Sequence, residues 1–176
     1  MIFNFTKKYQ FATKLSVDGE PIDTVKETKL LGTYLTEDLK WEKNTSEIVK
    51  SAWQMMQLLY RAAGFTSSIM DLKNIYLTFI RSILEKSAVV WHSSLTKNNR
   101  LALERVQKAA VKVILGRIYT NYNDGLRKLR IENLDERRKQ LCLRFAKNCL
   151  KNDKVKGMFP KRITIHKMKK KKRNEV

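Results

Sequence analysis

Acidic residues are scarce in this chain. Seventeen Asp and Glu stand against 37 Lys and Arg, a formal charge of +20 over 176 residues. An imbalance of that size points to a polyanionic partner, with nucleic acid first and an anionic membrane surface second. No run of eighteen apolar residues occurs, so the sequence offers no transmembrane helix. The start, MIFNFTKKYQF, has no basic region ahead of its apolar residues and no small-residue cleavage site, so it does not read as a secretory signal. Only two cysteines are present, Cys142 and Cys149. Seven helical residues set them about 10 Å apart along an axis, too far for a disulfide, which suits reduced thiols inside a cell. Catalytic motifs are missing too: there is no glycine-rich phosphate loop, no His-Glu-x-x-His and no serine elbow. The two cysteines with His92 and His166 make four potential zinc ligands, but their spacing matches no usual finger, and half-buried structural thiols are the default. Glu37-Asp38 and Asp135-Glu136 suit a turn and a helix N-terminus better than acid–base work. The expectation is a protein that is not an enzyme by itself, with no cofactor, no metal and no small-molecule substrate.

What is present is hydrophobic periodicity. Between Ser68 and Trp91, large apolar residues recur at Leu72, Ile75, Tyr76, Phe79, Ile80, Ile83, Leu84 and Trp91, which predicts one long core helix capped by Ser68 and Asp71. Lys73, Arg81 and Lys86 fall off that stripe and give it a basic back. Upstream, Tyr9, Phe11, Thr13, Leu15 and Val17 alternate as a strand and Asp18-Gly19 reads as a tight turn. A short run at 22–25 and the segment Thr28–Leu35 continue the strands, with Gly32 marking a bulge or a close backbone approach. From Asn44 the period becomes helical. Asn44-Thr-Ser-Glu47 reads as a capping box, and Ile48, Ala52, Met55, Met56, Leu59 and Ala63 form a face ending at Gly64. A third helix runs from Thr96 through Leu103, Val106, Ala110, Val113 and Ile114 to Gly116, and a short one covers Tyr122–Leu129. The last starts at an Asn133–Glu136 capping box, with Leu134, Leu141, Phe145, Cys149 and Leu150 inward and Arg137, Arg138, Arg144 and Lys147 outward. The predicted class is mainly α with a small N-terminal antiparallel β unit, a helical bundle of α+β type: residues 1–41, 42–152, and a tail at 153–176.

From Lys154 to Val176 there are ten basic residues and one acid, so the other 153 residues still hold +11. Across Arg100–Arg117 five basic residues (Arg100, Arg105, Lys108, Lys112, Arg117) accompany one acid, Glu104, and the imbalance recurs over Arg137–Lys151. Any single surface lysine is an ordinary solvated residue; the collective faces suit phosphate contact. Trp41, Trp53 and Trp91 suit joints between helices, with stacking on bases as the alternative. The run Lys169–Arg173 is too charged to pack and suits a solubilising tail, a nuclear-import signal or an electrostatic anchor.

Several blocks then fall in a familiar order: Thr28-Lys-Leu-Leu-Gly-Thr33, Asp38-Leu-Lys-Trp41 with Asn44-Thr45, Ile75-Tyr76 with Ile80–Glu85, Val90–Thr96, Leu103–Ala110, and Leu134 with Arg137-Arg138. Together with Met158-Phe-Pro160 and His166–Lys169, they closely resemble the C-terminal part of reverse transcriptases from non-LTR (LINE-type) retrotransposons. The resemblance implies the end of a palm over residues 1–41, a thumb over 42–152 that grips a template–primer duplex, and a basic tail. The hairpin at Leu31-Gly32 is similar to one that touches the primer end. Contact residues implied in this way are Leu31, Gly32, Arg81, Lys86, Arg100, Arg105, Lys108, Lys112, Arg117, Arg137, Arg138 and Arg144. The aspartate pair of such polymerases lies upstream of the matching region, so the expectation is a non-catalytic, nucleic-acid-binding piece. It would be a retroelement remnant opened at an internal methionine, a partner-binding or vestigial derivative, or a subunit completed in trans. An exposed N-terminal sheet edge would favour self-association. Part of Leu31–Leu95 also resembles a short helical segment of a tRNA-modifying dioxygenase–methyltransferase homologue, without its iron or methyl-donor motifs.

Overall fold

A computed structural model describes residues 16–21, 23, 25–65 and 68–158. The strand positions expected at Tyr9, Phe11, Thr13 and Leu15, residue Ile22 and the basic run Lys169–Arg173 lie outside the described residues. The fold is mainly helical, with two small antiparallel hairpins at its N-terminal end.

Asp18 and Gly19 take left-handed conformations (φ 52° and 87°) and join β1 (Ser16–Val17) to β2 (Glu20–Pro21) in the two-residue turn that this dipeptide favours. The next segment is a second hairpin, β3 (Glu27–Leu30) and β4 (Thr33–Thr36), with Leu30 opposite Thr33. Gly32 is therefore in the turn and is not a bulge. Its φ is 80°, and Leu31 before it is also left-handed at 48°. The expected close approach is present: a Cβ on Gly32 would lie 2.5 Å from Lys86 Nζ. Beyond β4, Asp38 accepts hydrogen bonds from Thr36 Oγ1 (2.7 Å) and the Lys40 amide (3.0 Å), which holds its pKa at about 2 and sets the turn into the buried Trp41.

Helix α1 runs from Glu42 to Phe65, so Asn44 is not its cap. Asn44 is buried in the first turn, where its Oδ1 accepts the Tyr34 amide at 3.1 Å and ties the second hairpin to the helix. Ala52, Met56 and Leu59 form its buried face as expected, with Ile48, Met55 and Ala63 partly buried against the same core.

The central segment departs from a single rod. It comprises α2 (Ile69–Ile75), a π-helical stretch (Tyr76–Arg81), α3 (Ser82–Glu85), α4 (Ala88–Trp91) and a 3₁₀ turn (His92–Ser94). Ser68 caps α2 by accepting the Asp71 amide at 3.3 Å. From Leu72 to Ala88 the buried residues are Leu72, Tyr76, Ile80, Leu84 and Ala88, a repeat of four rather than alternating three and four, and Trp91 and His92 follow. On a helix of 3.6 residues per turn such a stripe drifts by about 40° at each step. The looser π winding keeps it facing one way. Phe79, expected inside, is instead 46% exposed. The segment breaks after α3, where Ser87 is left-handed (φ 54°) and the Trp91 indole N–H donates to the Lys86 carbonyl at 3.0 Å.

Helix α5 (Lys97–Leu115) is capped by Thr96 and packs on α1; a 3₁₀ turn (Gly116–Ile118), α6 (Tyr122–Leu129) and α7 (Leu134–Lys151) follow. Asn133 caps α7 by accepting the Glu136 amide at 2.8 Å. A Cβ on Gly125 would meet Val111 at 2.5 Å, so glycine is what lets α6 lie so close to α5. A further turn, α8 (Asp153–Lys156), lies within the segment expected to be an unstructured tail. On α7 the expected faces are partly exchanged: Arg138 is buried, whereas Phe145 and Leu150 are exposed. Cys142 and Cys149 are free thiols, both half-buried, and burial raises the pKa of Cys142.

A polar chain runs through this core. Tyr76 donates its hydroxyl to Gln107 Oε1, and Gln107 Nε2 donates to Tyr122 Oη (2.8 Å) and to the Glu132 carbonyl (2.9 Å). Tyr122 in turn donates to Glu104, whose carboxylate also accepts the Leu134 amide (3.1 Å). Burial raises the pKa of both tyrosines, so they remain donors throughout the neutral range.

Gln107→Leu keeps the volume but strands the Tyr76 hydroxyl and the Glu132 carbonyl and takes a donor from Tyr122. It should cost about 3 kcal/mol, roughly 10 °C in Tm, measured by thermal unfolding. A second expectation concerns pH. His92 is buried, its Nδ1 has no hydrogen-bond partner among the described residues, and burial, with Arg138 nearby, lowers its pKa from 6.5. The unfolded chain then binds the proton first, so stability should decline as pH falls through 6.5 towards the lower folded value. His92→Gln should remove that slope in equilibrium unfolding. Asp38 and Asp124, lowered from 3.8, lose their stabilising charge only at more acid pH.

Candidate nucleic-acid interface

A cation can contact phosphate only if the fold leaves it exposed and unpaired. By that test the expected cations fall into two groups. Arg138 is fully buried, with its guanidinium 5.7 Å from the centre of the Trp91 ring. Its place in the sequence pattern assigns it to the outer face, but α7 rests on α4 and the 3₁₀ turn along that side. Arg100 pairs with Asp135 at 2.6 Å and donates to the carbonyls of His92 (3.2 Å) and Leu95 (3.4 Å), fastening the start of α5 to α7. Arg81 and Arg137 converge on Glu85, at 3.6 and 3.2 Å, and join the central segment to α7. Arg81, Arg100 and Arg137 join elements of the fold, and Arg138 is enclosed by it.

The other group is outward. Arg105, Lys108 and Lys112 are exposed on α5 and make no ion pair among the described residues. At 100° per residue they fall within about 60° of arc, a single stripe opposite the buried Leu103, Val106 and Ala110. Arg117 follows in the next turn, and Arg144 lies exposed on α7 beside the exposed Leu143 and Phe145.

Leu31, Gly32 and Lys86 are brought together at the second hairpin. Leu31 is 91% exposed at the tip, a leucine in the left-handed region where asparagine or glycine is usual. Behind the tip, between the hairpin, α1 and α3, lies a recess of about 230 Å³ lined by Lys29, Gly32, Tyr34, Asn44, Glu47, Ile48, Ser51, Ile83 and Lys86. Lys29 Nζ stands 5.1 Å from the centre of the Tyr34 ring. Sequence reading missed Lys29, Tyr34, Asn44, Glu47 and Ser51. The signal that could have found the first two is a two-residue turn at Leu31-Gly32, which sets Lys29 opposite Tyr34. Leu-Gly is a weak turn dipeptide, and that signal is faint.

Trp41 and Trp91 are core residues, as expected of joints between helices, but Trp53 is exposed. It shares the outer face of α1 with Lys50, Tyr60 and Arg61, in a stretch without any acid from residue 48 to residue 70. No helix among the described residues is long and apolar enough to cross a membrane. Comparison of the chain with protein-family models, with curated proteins and with solved structures finds no match.

The enclosure of Arg138 is testable. Among the described residues none of its three guanidinium nitrogens has a hydrogen-bond partner, and burial lowers its pKa despite the nearby Glu104, Asp135 and Glu85. Each of those carboxylates keeps another partner when Arg138 is removed. Arg138→Met should therefore leave Tm unchanged or raise it, since a desolvated charge is exchanged for apolar volume. A clear fall in Tm would show the guanidinium to be satisfied in solution.

Proposed function

We propose that this chain is a nucleic-acid-gripping unit, of the kind that forms the end of the palm and the thumb in non-LTR retrotransposon reverse transcriptases, and that it holds a template–primer duplex without polymerase chemistry of its own. The observation that carries this reading is the stripe Arg105, Lys108 and Lys112, three exposed cations without a carboxylate partner among the described residues, on a helix whose opposite face is core. Arg105 to Lys112 spans about 10 Å of helix axis. That is about three nucleotide steps of a duplex strand at 3.4 Å each. Such a row releases counterions when it meets phosphates, and rigid backing by the core keeps the row straight. The resemblance of the ordered sequence blocks supplies the duplex as the specific form of nucleic acid, and the exposed hairpin tip at Leu31 is consistent with a second point of contact.

The corresponding experiment is titration of the purified chain with an RNA–DNA hybrid over a range of salt. Log affinity should fall linearly with log salt. Charge reversal at Arg105, Lys108 and Lys112 together should flatten the slope by roughly 0.9 for each phosphate that is no longer neutralised, without altering Tm. Binding that ignores salt, or a slope unchanged by the triple variant, would remove the basis for this function.

A further inference from the structure

We propose that the recess behind the second hairpin binds the phosphorylated ribose of a ribonucleotide, with Lys29 and Lys86 holding the phosphate and Glu47 accepting a sugar hydroxyl. The proposal rests on the nucleic-acid reading above and names a chemical group which that reading leaves open.

The recess is built rather than incidental. Lys86 sits where the chain leaves α3, and its carbonyl is fixed by the indole N–H of the fully buried Trp91. Its ammonium reaches the turn at Gly32, into space that any Cβ would occupy. From the hairpin side, Lys29 is stationed over Tyr34, whose amide is bound by Asn44 Oδ1. Asn44 is only 3% exposed, and its Nδ2 has no hydrogen-bond partner among the described residues. The position of each cation is thus set by the core on one side and by the hairpin on the other.

The charges specify the ligand class. Neither Lys29 nor Lys86 forms an ion pair among the described residues, although Glu47 lines the same recess. Two unpaired ammonium groups attract a phosphate. A carboxylate beside them repels a bare phosphate but is a strong acceptor for a hydroxyl carried next to one. A phosphate ester on a polyol satisfies both demands at once. The volume of about 230 Å³ is many times what a single water requires, so the recess has room for more than a phosphate group alone. It is smaller than the pockets of about 300 Å³ and upwards that enclose larger ligands. Within nucleic acid the matching unit is a ribose with its phosphate, and deoxyribose lacks the 2′-hydroxyl that the carboxylate would accept.

The same chemistry is available from a free ribonucleotide and from a phosphorylated RNA end. Calorimetric titrations of the full chain with adenosine 5′-monophosphate, its 2′-deoxy counterpart and a short 5′-phosphorylated RNA address both. Adenosine monophosphate should bind more tightly than the deoxy form. Lys29→Met with Lys86→Met should weaken it by about tenfold or more. Glu47→Ala should bring the two nucleotides together. Salt-dependent binding of the hybrid through Arg105, Lys108 and Lys112 should persist in these variants, which shows that they are folded. Lysine-dependent affinity that is greater for the mononucleotide assigns the recess to a free ribonucleotide, and greater for the RNA assigns it to a strand end. Equal binding of ribo and deoxy forms, or no effect of the lysine pair, overturns the proposal. If the wild-type chain binds no hybrid at all, the gripping function fails first; if it binds hybrid normally but no nucleotide, only the recess proposal fails.

Discussion

Gln107 is buried with one acceptor and two donors, and a side-chain amide in that position must find partners inside the protein. It finds them on three separate parts of the chain: Tyr76 in the π-helical stretch, Tyr122 in α6 and the Glu132 carbonyl before α7. Glu104, one turn earlier on α5, completes the chain by accepting from Tyr122 and from the first amide of α7. Hydrophobic contacts alone would let α5 rotate or slide at modest cost. The polar chain allows a single rotation, because any other leaves several buried groups unpaired at once. The direction in which Arg105, Lys108 and Lys112 point is therefore a consequence of what Gln107 and Glu104 bind on the opposite side.

The arginines illustrate how charge is divided between holding a fold and meeting a partner. Glu85 receives Arg81 and Arg137, and Asp135 receives Arg100, so these acids join α3, α5 and α7. With so few carboxylates in the chain, some outer cations pair locally, as Lys128 does with Asp124, while Arg105, Lys108 and Lys112 have no carboxylate partner among the described residues. The scarcity of acid and the spare positive surface are one fact seen from two sides. The polar connections also cross between helices that are distant in sequence, which suits a small protein with limited core volume.

The break after Glu85 has a different origin. Trp91 is fully buried, and its indole N–H needs an acceptor there, which the Lys86 carbonyl supplies because the helix has ended. An uninterrupted helix would have used that carbonyl for its own ladder. By stopping, the chain turns Lys86 towards the second hairpin and closes one side of the recess around Gly32. A tryptophan in the core and a lysine at the surface are thereby placed by the same bond.

Much of the architecture is local and was legible in the sequence: the Asp18-Gly19 turn, the caps at Ser68 and Asn133, the extents of α5 and α6, and the apolar face of α1. Each depends on a residue's own conformational preference or on a period within one element. The basic stripe of α5 was legible for the same reason, since its exposure is the complement of its buried face. What remained hidden was decided between elements. Asn44 has the residue type of a cap, but the Tyr34 amide claims its side chain for the hairpin. Arg138 has the charge of a surface residue, but the packing of α7 on α4 encloses it against Trp91. Phe79 has the spacing of a core residue, but a four-residue stripe held by π winding leaves it in solvent. For Asn44 and Arg138 a partner on another element outweighs local propensity, because burial and hydrogen bonding across elements are settled only when the elements meet.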